Sequence, residues 1–478
     1  MQYRPEQHGK MSQTGGHDDR TEPDRAAVCR AEPVAGDGPR GLGGCLGRDE
    51  LDAWFEVTAQ TQYTKALLFS SVYEVMTQVV LAEHPSVHAA TRAAGEAIEV
   101  SVTSVYNKLQ QMEPGTSAAL VGWSAQRATE LIEEVGGQRT PLLAGFTVKV
   151  IDGNALDGRE HRLKESRGSS AAPLPGKVVA VLDPAREVIE AVVASEDAYT
   201  QERALLPEVV RRHVGAGQVW IADRNFCTTG FLTDLQARGA HGLIREHGML
   251  RYRPLEPLRE IGVDDKGAQI GEQWVQLGLE ADEQALRVRR IRIRLPKPTR
   301  DGDDTICLVT TLSAEQADAL TLAALYHQRW TIERAFLHLT TQLRCEVRTL
   351  CYPGAALFAL ACAMVAFNVL AVVKAAIRAA HGQEAEAALS GYYMAIEMRN
   401  LGESLDTIVD AEDWEPFRRA SPQAMAAWLA QQAKRLDLAR YRKTGRSTRT
   451  PAVKRTHDPG RTHFSVARTL QQRKVKAP

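Results

Sequence analysis

Several patterns that would narrow the function of this 478-residue chain are missing from it. The seven cysteines, at positions 29, 45, 227, 307, 345, 351 and 362, form no C-x-x-C pair, so the sequence offers neither a zinc ribbon nor a disulfide framework. No histidine spacing demands a transition metal, and no basic-then-apolar leader marks the chain for secretion, so a cytoplasmic setting is expected. Net charge is also absent: 59 Lys and Arg balance 59 Asp and Glu, which neither favours nor excludes a nucleic-acid partner. There is no internal repeat and no second long apolar run. The single run, residues 355–373, is long enough to cross a bilayer. It is rich in alanine and carries Asn368, however, so a helix buried in a large core is expected and no membrane partner.

What is present is unevenly distributed. Residues 1–48 are rich in Gly, Pro, Asp and Arg and cannot offset the entropy of ordering, so a disordered leader is expected. Residues 49–140 carry amphipathic helical patterns and read as an all-helical N-terminal DNA-binding domain. Within it, the polar start of 101–109 after a break at 94–96 has the pattern of a helix-turn-helix, or equally of a plain helical hairpin. From Phe146 the texture changes to strands: Phe146 to Ile151, Lys177 to Leu182, Val188 to Val193, Gln218 to Ala222 and Gly242 to Ile244. Helices over Glu202 to Val214 and Leu232 to Ala237 interleave with them. Residues 248–304 alternate charged and apolar, as in Leu286 to Arg294, which predicts a β-rich insertion of edge-exposed strands with arginines on one face. Helical pattern returns from about residue 314. The region 381–478 reads as helical with a basic tail: from Lys434 onward 14 basic side chains face 2 acidic ones, a local excess suited to a phosphate backbone.

Two aspartates stand at predicted strand ends, Asp152 after Phe146 to Ile151 and Asp223 after Gln218 to Ala222. If those strands are parallel neighbours, the two carboxylates share one small space, where they either raise a pKa or hold a cation. Hard divalent cations take oxygen ligands and keep several waters, so two or three carboxylates suffice for phosphoryl transfer. In Tyr326-His327-Gln328-Arg329-Trp330-Thr331-Ile332-Glu333, spacings of three and four put Tyr326, Arg329 and Glu333 on one face of a helix. Read alone, Arg329 and Glu333 are equally an ordinary surface ion pair.

The succession of Ile151-Asp152-Gly153-Asn154, Trp220 to Phe226, Leu308 to Leu312 and Tyr-x-x-Arg-x-x-x-Glu resembles the DDE transposases of the insertion sequence four family, over roughly Phe146 to Lys374. The resemblance implies an α/β fold: a ribonuclease-H-like catalytic core (141–247 and 305–380) interrupted by the β-rich insertion. It implies that Asp152, Asp223 and Glu333 are catalytic and hold two Mg²⁺ ions, with Mn²⁺ as the alternative. It further implies double-stranded DNA as partner, both transposon ends and target, and a homodimer in a synaptic complex performing cut-and-paste transfer. Tyr326 and Arg329 match positions that hold a DNA phosphate; Arg224 and Trp274 are further candidates for DNA contact, Trp274 by stacking on a displaced base. The family pattern has a lysine seven residues after the glutamate, where this chain has Thr340. A hydroxyl can donate one hydrogen bond to a phosphate but brings no charge, which leaves Arg334, Arg344 or Arg348 to supply it. Two alternatives stay open: a catalytically silent DNA-binding protein derived from a transposase, and a non-transposing nuclease on the same fold.

Overall fold

The computed structural model describes residues 47–62, 64, 66–168, 172–278, 285–299, 302–396, 420–443 and 464–476. The expected leader, apart from residues 47 and 48, and residues 444–463 of the basic tail lie outside the described residues.

The N-terminal region is helical, as its apolar spacing predicts: α1 (Arg48–Thr58), α2 (Phe69–Val80), α3 (Val87–Ala93), α4 (Val102–Gln110) and α5 (Pro114–Glu134). Local chemistry sets their starts. The Ser86 and Ser101 side chains accept from the Ala89 and Ser104 N–H groups, and Pro114 opens α5, where a missing N–H costs nothing. In α4, Val105 and Leu109 face inward while Thr103, Ser104 and Asn107 stay exposed.

Ten strands form one mixed sheet: β1 (Thr147–Ala155), β2 (Lys177–Asp183), β3 (Val188–Ser195), β4 (Gln218–Ala222), β5 (His241–Arg245), β6 (Tyr252–Pro254), β7 (Arg259–Val263), β8 (Gln269–Leu277), β9 (Leu286–Arg294) and β10 (Thr305–Thr310). Their order is β3-β2-β1-β4-β5-β10-β9-β8-β6, with β7 also on β8. The pairs β1–β4 and β4–β5 are parallel and the others antiparallel. The parallel strands are short and apolar because both faces are covered: α6 (Leu206–His213) and α7 (Thr229–Ala237) contribute the core that includes Trp220, Phe226, Leu232 and Ile244.

The alternating segment 286–294 departs from expectation. Instead of lying at an edge, β9 is hydrogen-bonded on both sides, and Arg289 is fully buried. Its charge is met by Glu272 at 2.6 Å and by the carbonyls of Leu312, Ser313 and Ala317, so a guanidinium replaces an apolar core residue there. The strands of 248–304 thus prolong the central sheet.

Helical structure resumes with α8 (Ala319–Tyr326), α9 (Trp330–Thr341) and α10 (Pro353–His381), followed by α11 (Gln383–Ala387), α12 (Pro422–Arg435) and α13 (Val466–Lys476). By length and composition α10 is apolar enough to cross a membrane, and 89% of its most apolar window is buried inside the structure. It packs against α2, α5, α12 and β3. Buried Asn368 explains its own presence: its amide donates to the Ser124 hydroxyl and the Ile189 carbonyl, and its oxygen accepts from the Ile189 N–H. One side chain thereby ties α10 to α5 and closes part of the free side of edge strand β3. The N-terminal helices, the sheet and α10 share one hydrophobic core, so the helical region is packed on the sheet and does not stand apart from it.

Near the β2–β3 turn lies a buried ionic cluster. Arg139 reaches Glu187 at 3.1 Å and Glu386 at 2.8 Å, Lys374 pairs with both glutamates, and Arg378 lies 3.3 Å from Glu386.

Candidate active site

Asp152 and Asp223 owe their proximity to backbone register. In the parallel β1–β4 pair, Ile151 lies opposite Ala222, so the next residue on each strand is an aspartate. Strand β1 does not end at Asp152 but continues to Ala155, paired from there only with β2. Asp152 therefore stands where β4 leaves the sheet, at the carboxyl ends of parallel strands, where open α/β sheets present their sites. Asp223 begins a 3₁₀ turn over Arg224–Phe226 and accepts from the Asn225 N–H at 2.8 Å; Asp152 accepts from the Gly153 N–H at 2.9 Å.

Burial first, and the Asp223 charge second, push the Asp152 carboxyl up to about 7, against the pull of the Gly153 N–H and the Arg329 guanidinium. A further carboxylate adds to the repulsion: Glu202. The expected helix over Glu202 to Val214 begins instead as a 3₁₀ turn (Glu202–Leu205), with Pro207 in the first turn of α6. That turn lays the Glu202 side chain on Gly153, so close that a Cβ at 153 would sit 2.3 Å from the Glu202 carboxyl carbon. Gly153 leaves room for the Glu202 carboxylate in this position; a Cβ there would make that flexible side chain swing away. Nothing in the spacing of Glu202 relative to the aspartates signals this meeting; only the glycine after Asp152 hints at crowding.

The third element differs from the continuous helix expected. Between α8 and α9 the chain makes a 3₁₀ turn over His327–Arg329, which packs against β1 and β4. Tyr326 is buried at the end of α8, its hydroxyl donating to the Ala222 carbonyl at 3.4 Å, and burial raises its pKa well above the usual phenol range. Arg329 donates to the Glu333 carboxylate at 2.5 Å, lies over the exposed Trp330 ring and acts electrostatically on Asp152. The fold thus brings Asp152, Asp223, Tyr326 and Arg329 together, while the Glu333 carboxylate is held by Arg329.

The remaining candidates fall elsewhere. Arg224 is exposed and turns into a cavity beside Asp223. Trp274 lies on β8, five strand positions from β1, roughly 24 Å at ~4.8 Å per strand. Its ring carries the Arg287 guanidinium at 4.6 Å, so the structure does not bring it to the carboxylates. The Thr340 hydroxyl bonds back to the carbonyls of Phe336 and Leu337, which occupies the donor a phosphate would need, whereas Arg334, Arg344 and Arg348 are exposed.

The donor set suits a hard divalent cation in one respect and not in another. Two carboxylates held together with their charges uncompensated are what such an ion relieves. Among the described residues, however, no three or more His, Cys, Asp and Glu side chains are grouped so as to hold a metal, and the Glu333 carboxylate is bonded to Arg329.

Residues 145–368 match the transposase DDE domain. The matched segment is just under half of the chain and contains Asp152, Asp223 and Glu333. The match to a DDE domain supports a transposase, a DNA-cleaving enzyme of transposition and recombination. Among solved structures, a piggyBac transposase synaptic complex with hairpin DNA is similar at 10% identity over 90% of each chain, with a TM-score of 0.36. No curated protein matches the chain.

Proposed function

We propose that the chain is a cut-and-paste DNA transposase of the insertion sequence four kind, built on a ribonuclease-H-like core. Asp152 and Asp223, joined by Glu333, hold divalent cations, Mg²⁺ or Mn²⁺, two to a site. The observation that carries this reading is the pair Asp152 and Asp223, side by side at the ends of parallel strands with a repulsion no neighbouring cation cancels, inside the segment that matches the DDE domain.

Bound there, the ions supply activation of a water or 3′-hydroxyl and stabilisation of the leaving oxygen. The protein's own part is positional. Tyr326 braces the end of β4 through the Ala222 carbonyl, which fixes where Asp223 stands. Arg329 holds Glu333 in reserve and, on releasing it, presents a guanidinium fork to a phosphate. Glu333 then completes the carboxylate set. The partners are double-stranded DNA, at transposon ends and target, and a second copy of the chain in a synaptic dimer. The setting is the bacterial cytoplasm.

The test is cleavage of a labelled duplex bearing the element's own end, with Mg²⁺ and then Mn²⁺, by the wild type and by Asp152→Ala, Asp223→Ala and Glu333→Ala. End-specific cutting and joining by the wild type alone supports the reading. Binding of that end with no cutting replaces it with a silent DNA-binding protein, and cutting without end preference or joining replaces it with a nuclease.

A further inference from the structure

We infer that the strand and helix of residues 464–476 form a clasp on the carboxylate site, in which Arg468 is a positioning residue that acts through Asp197 and the turn after it. The inference rests on the reading of Asp152 and Asp223 as the site that cuts DNA.

The clasp makes four contacts of different kinds. Phe464–Ser465 pairs in parallel with Pro173–Leu174, almost 300 residues earlier in the chain. Val466 is fully buried against Leu163 and Cys351, with Leu470 packed beside them. Arg473 lies 3.5 Å from Glu165. Arg468 donates to the Asp197 carboxylate at 2.5 Å and lies over the Tyr199 ring, 5.6 Å from its centroid.

Asp197 is where the clasp takes hold of a turn. Its second carboxylate oxygen accepts from the Tyr199 N–H at 3.0 Å, and its carbonyl accepts from the Thr200 N–H at 3.0 Å and the Ser195 hydroxyl at 3.2 Å. Against the effect of burial, the Ser465 hydroxyl, the Tyr199 N–H and the Arg468 guanidinium hold the Asp197 carboxyl below the usual carboxylate range. Two of those three groups, Ser465 and Arg468, belong to the clasp.

Two residues past Thr200 begins the 3₁₀ turn Glu202–Leu205, and it touches both catalytic strand ends. Glu202 rests on Gly153, next to Asp152, and the turn packs against Arg224–Phe226, which Asp223 begins. One short segment, anchored from outside by Arg468, thereby buttresses both aspartates. The grip is slight, one two-residue ladder and a small apolar cluster, so it opens at far less cost than global unfolding.

The test is hydrogen exchange, read by mass spectrometry on the full chain in chelator, comparing the wild type with Arg468→Ala, Arg468→Lys and Val466→Asp. Arg468→Ala should speed exchange about threefold at residues 197–205 and 223–228, as loss of an exposed ion pair would, without moving the melting temperature. Val466→Asp, which puts a charge where the clasp packs, should speed it about tenfold, and Arg468→Lys should restore most of the protection. On end duplex in Mg²⁺, Arg468→Ala should lower kcat about threefold at unchanged KM. Faster exchange confined to 163–174 and 464–470 means that the segment only packs, and it overturns the clasp. Exchange that spreads while kcat holds also overturns it. If exchange spreads as expected but the wild type cuts no DNA, the transposase reading fails and the clasp on the turn stands.

Discussion

Charged side chains gather in two places, and their arithmetic differs. Near the β2–β3 turn, Glu187 and Glu386 each meet at least two cations drawn from Arg139, Lys374 and Arg378. Lys374 and Arg139 depress Glu187 to about 2 despite its burial. At the ends of β1 and β4 the balance is reversed: Asp152, Asp223 and Glu202 face one cation, Arg329, already engaged with Glu333. The first group holds α10 and the segment around Arg139 against the sheet. The second stores repulsion that serves no structural end and that an added cation would remove.

The largest effect should come from the second group without loss of fold. Asp152→Ala or Asp223→Ala should lower end cleavage by on the order of 10³-fold or more, the loss of several kcal/mol of transition-state stabilisation, while far-ultraviolet circular dichroism stays that of the wild type. Glu386→Ala should do the opposite, destabilising the chain by about 3–5 kcal/mol in denaturant titration and reducing activity only through the unfolded fraction. If instead Glu386→Ala leaves stability unchanged, the two clusters are not different in kind.

Acid sharpens the contrast. Glu187 is depressed from 4.5 to about 2, so its contribution is present above pH 4.5 and fades as the pH falls toward 2. Asp152 is raised from 3.8 to about 7, so its penalty is absent below about pH 4 and complete above pH 7. In chelator at pH 8, Asp152→Asn should therefore be more stable than the wild type by about 2 kcal/mol, an advantage that disappears at pH 4. Added Mg²⁺ should raise the melting temperature of the wild type at pH 8 and leave that of Asp152→Asn nearly still. The smallest effect is that of Glu202→Gln, which removes one like charge and should lower the Asp152 titration midpoint by about half a unit in carboxyl NMR.

The aspartates were legible because each follows an apolar strand run, and one-residue register sets them side by side although β1 itself continues past Asp152 to Ala155. The buried destiny of 355–373 was legible too: a lone run with an amide in it is a poor membrane span, and Asn368 proves to bond the edge strand. Less legible was anything decided by distant partners. Arg289 reads as a surface residue until Glu272 and three carbonyls are seen around it. The 3₁₀ turn at His327–Arg329 interrupts a sequence with unbroken helical spacing, because the ends of β1 and β4 pack there. Glu202 lies 50 residues from Asp152 in sequence, and only the early turn before Pro207 delivers it.

Parallel neighbours cannot be joined by a tight hairpin, so β1 waits for β4, with β2, β3 and α6 made in between. During synthesis at ~5–20 residues per second, the stretch from Asp152 to Glu333 takes on the order of ten seconds or more to emerge. A chain stopped before β4 has emerged carries Asp152 without Asp223, and one stopped before α9 still lacks Glu333. If the proposed site needs all three carboxylates, their placement on three separate segments delays activity until the last of them has emerged.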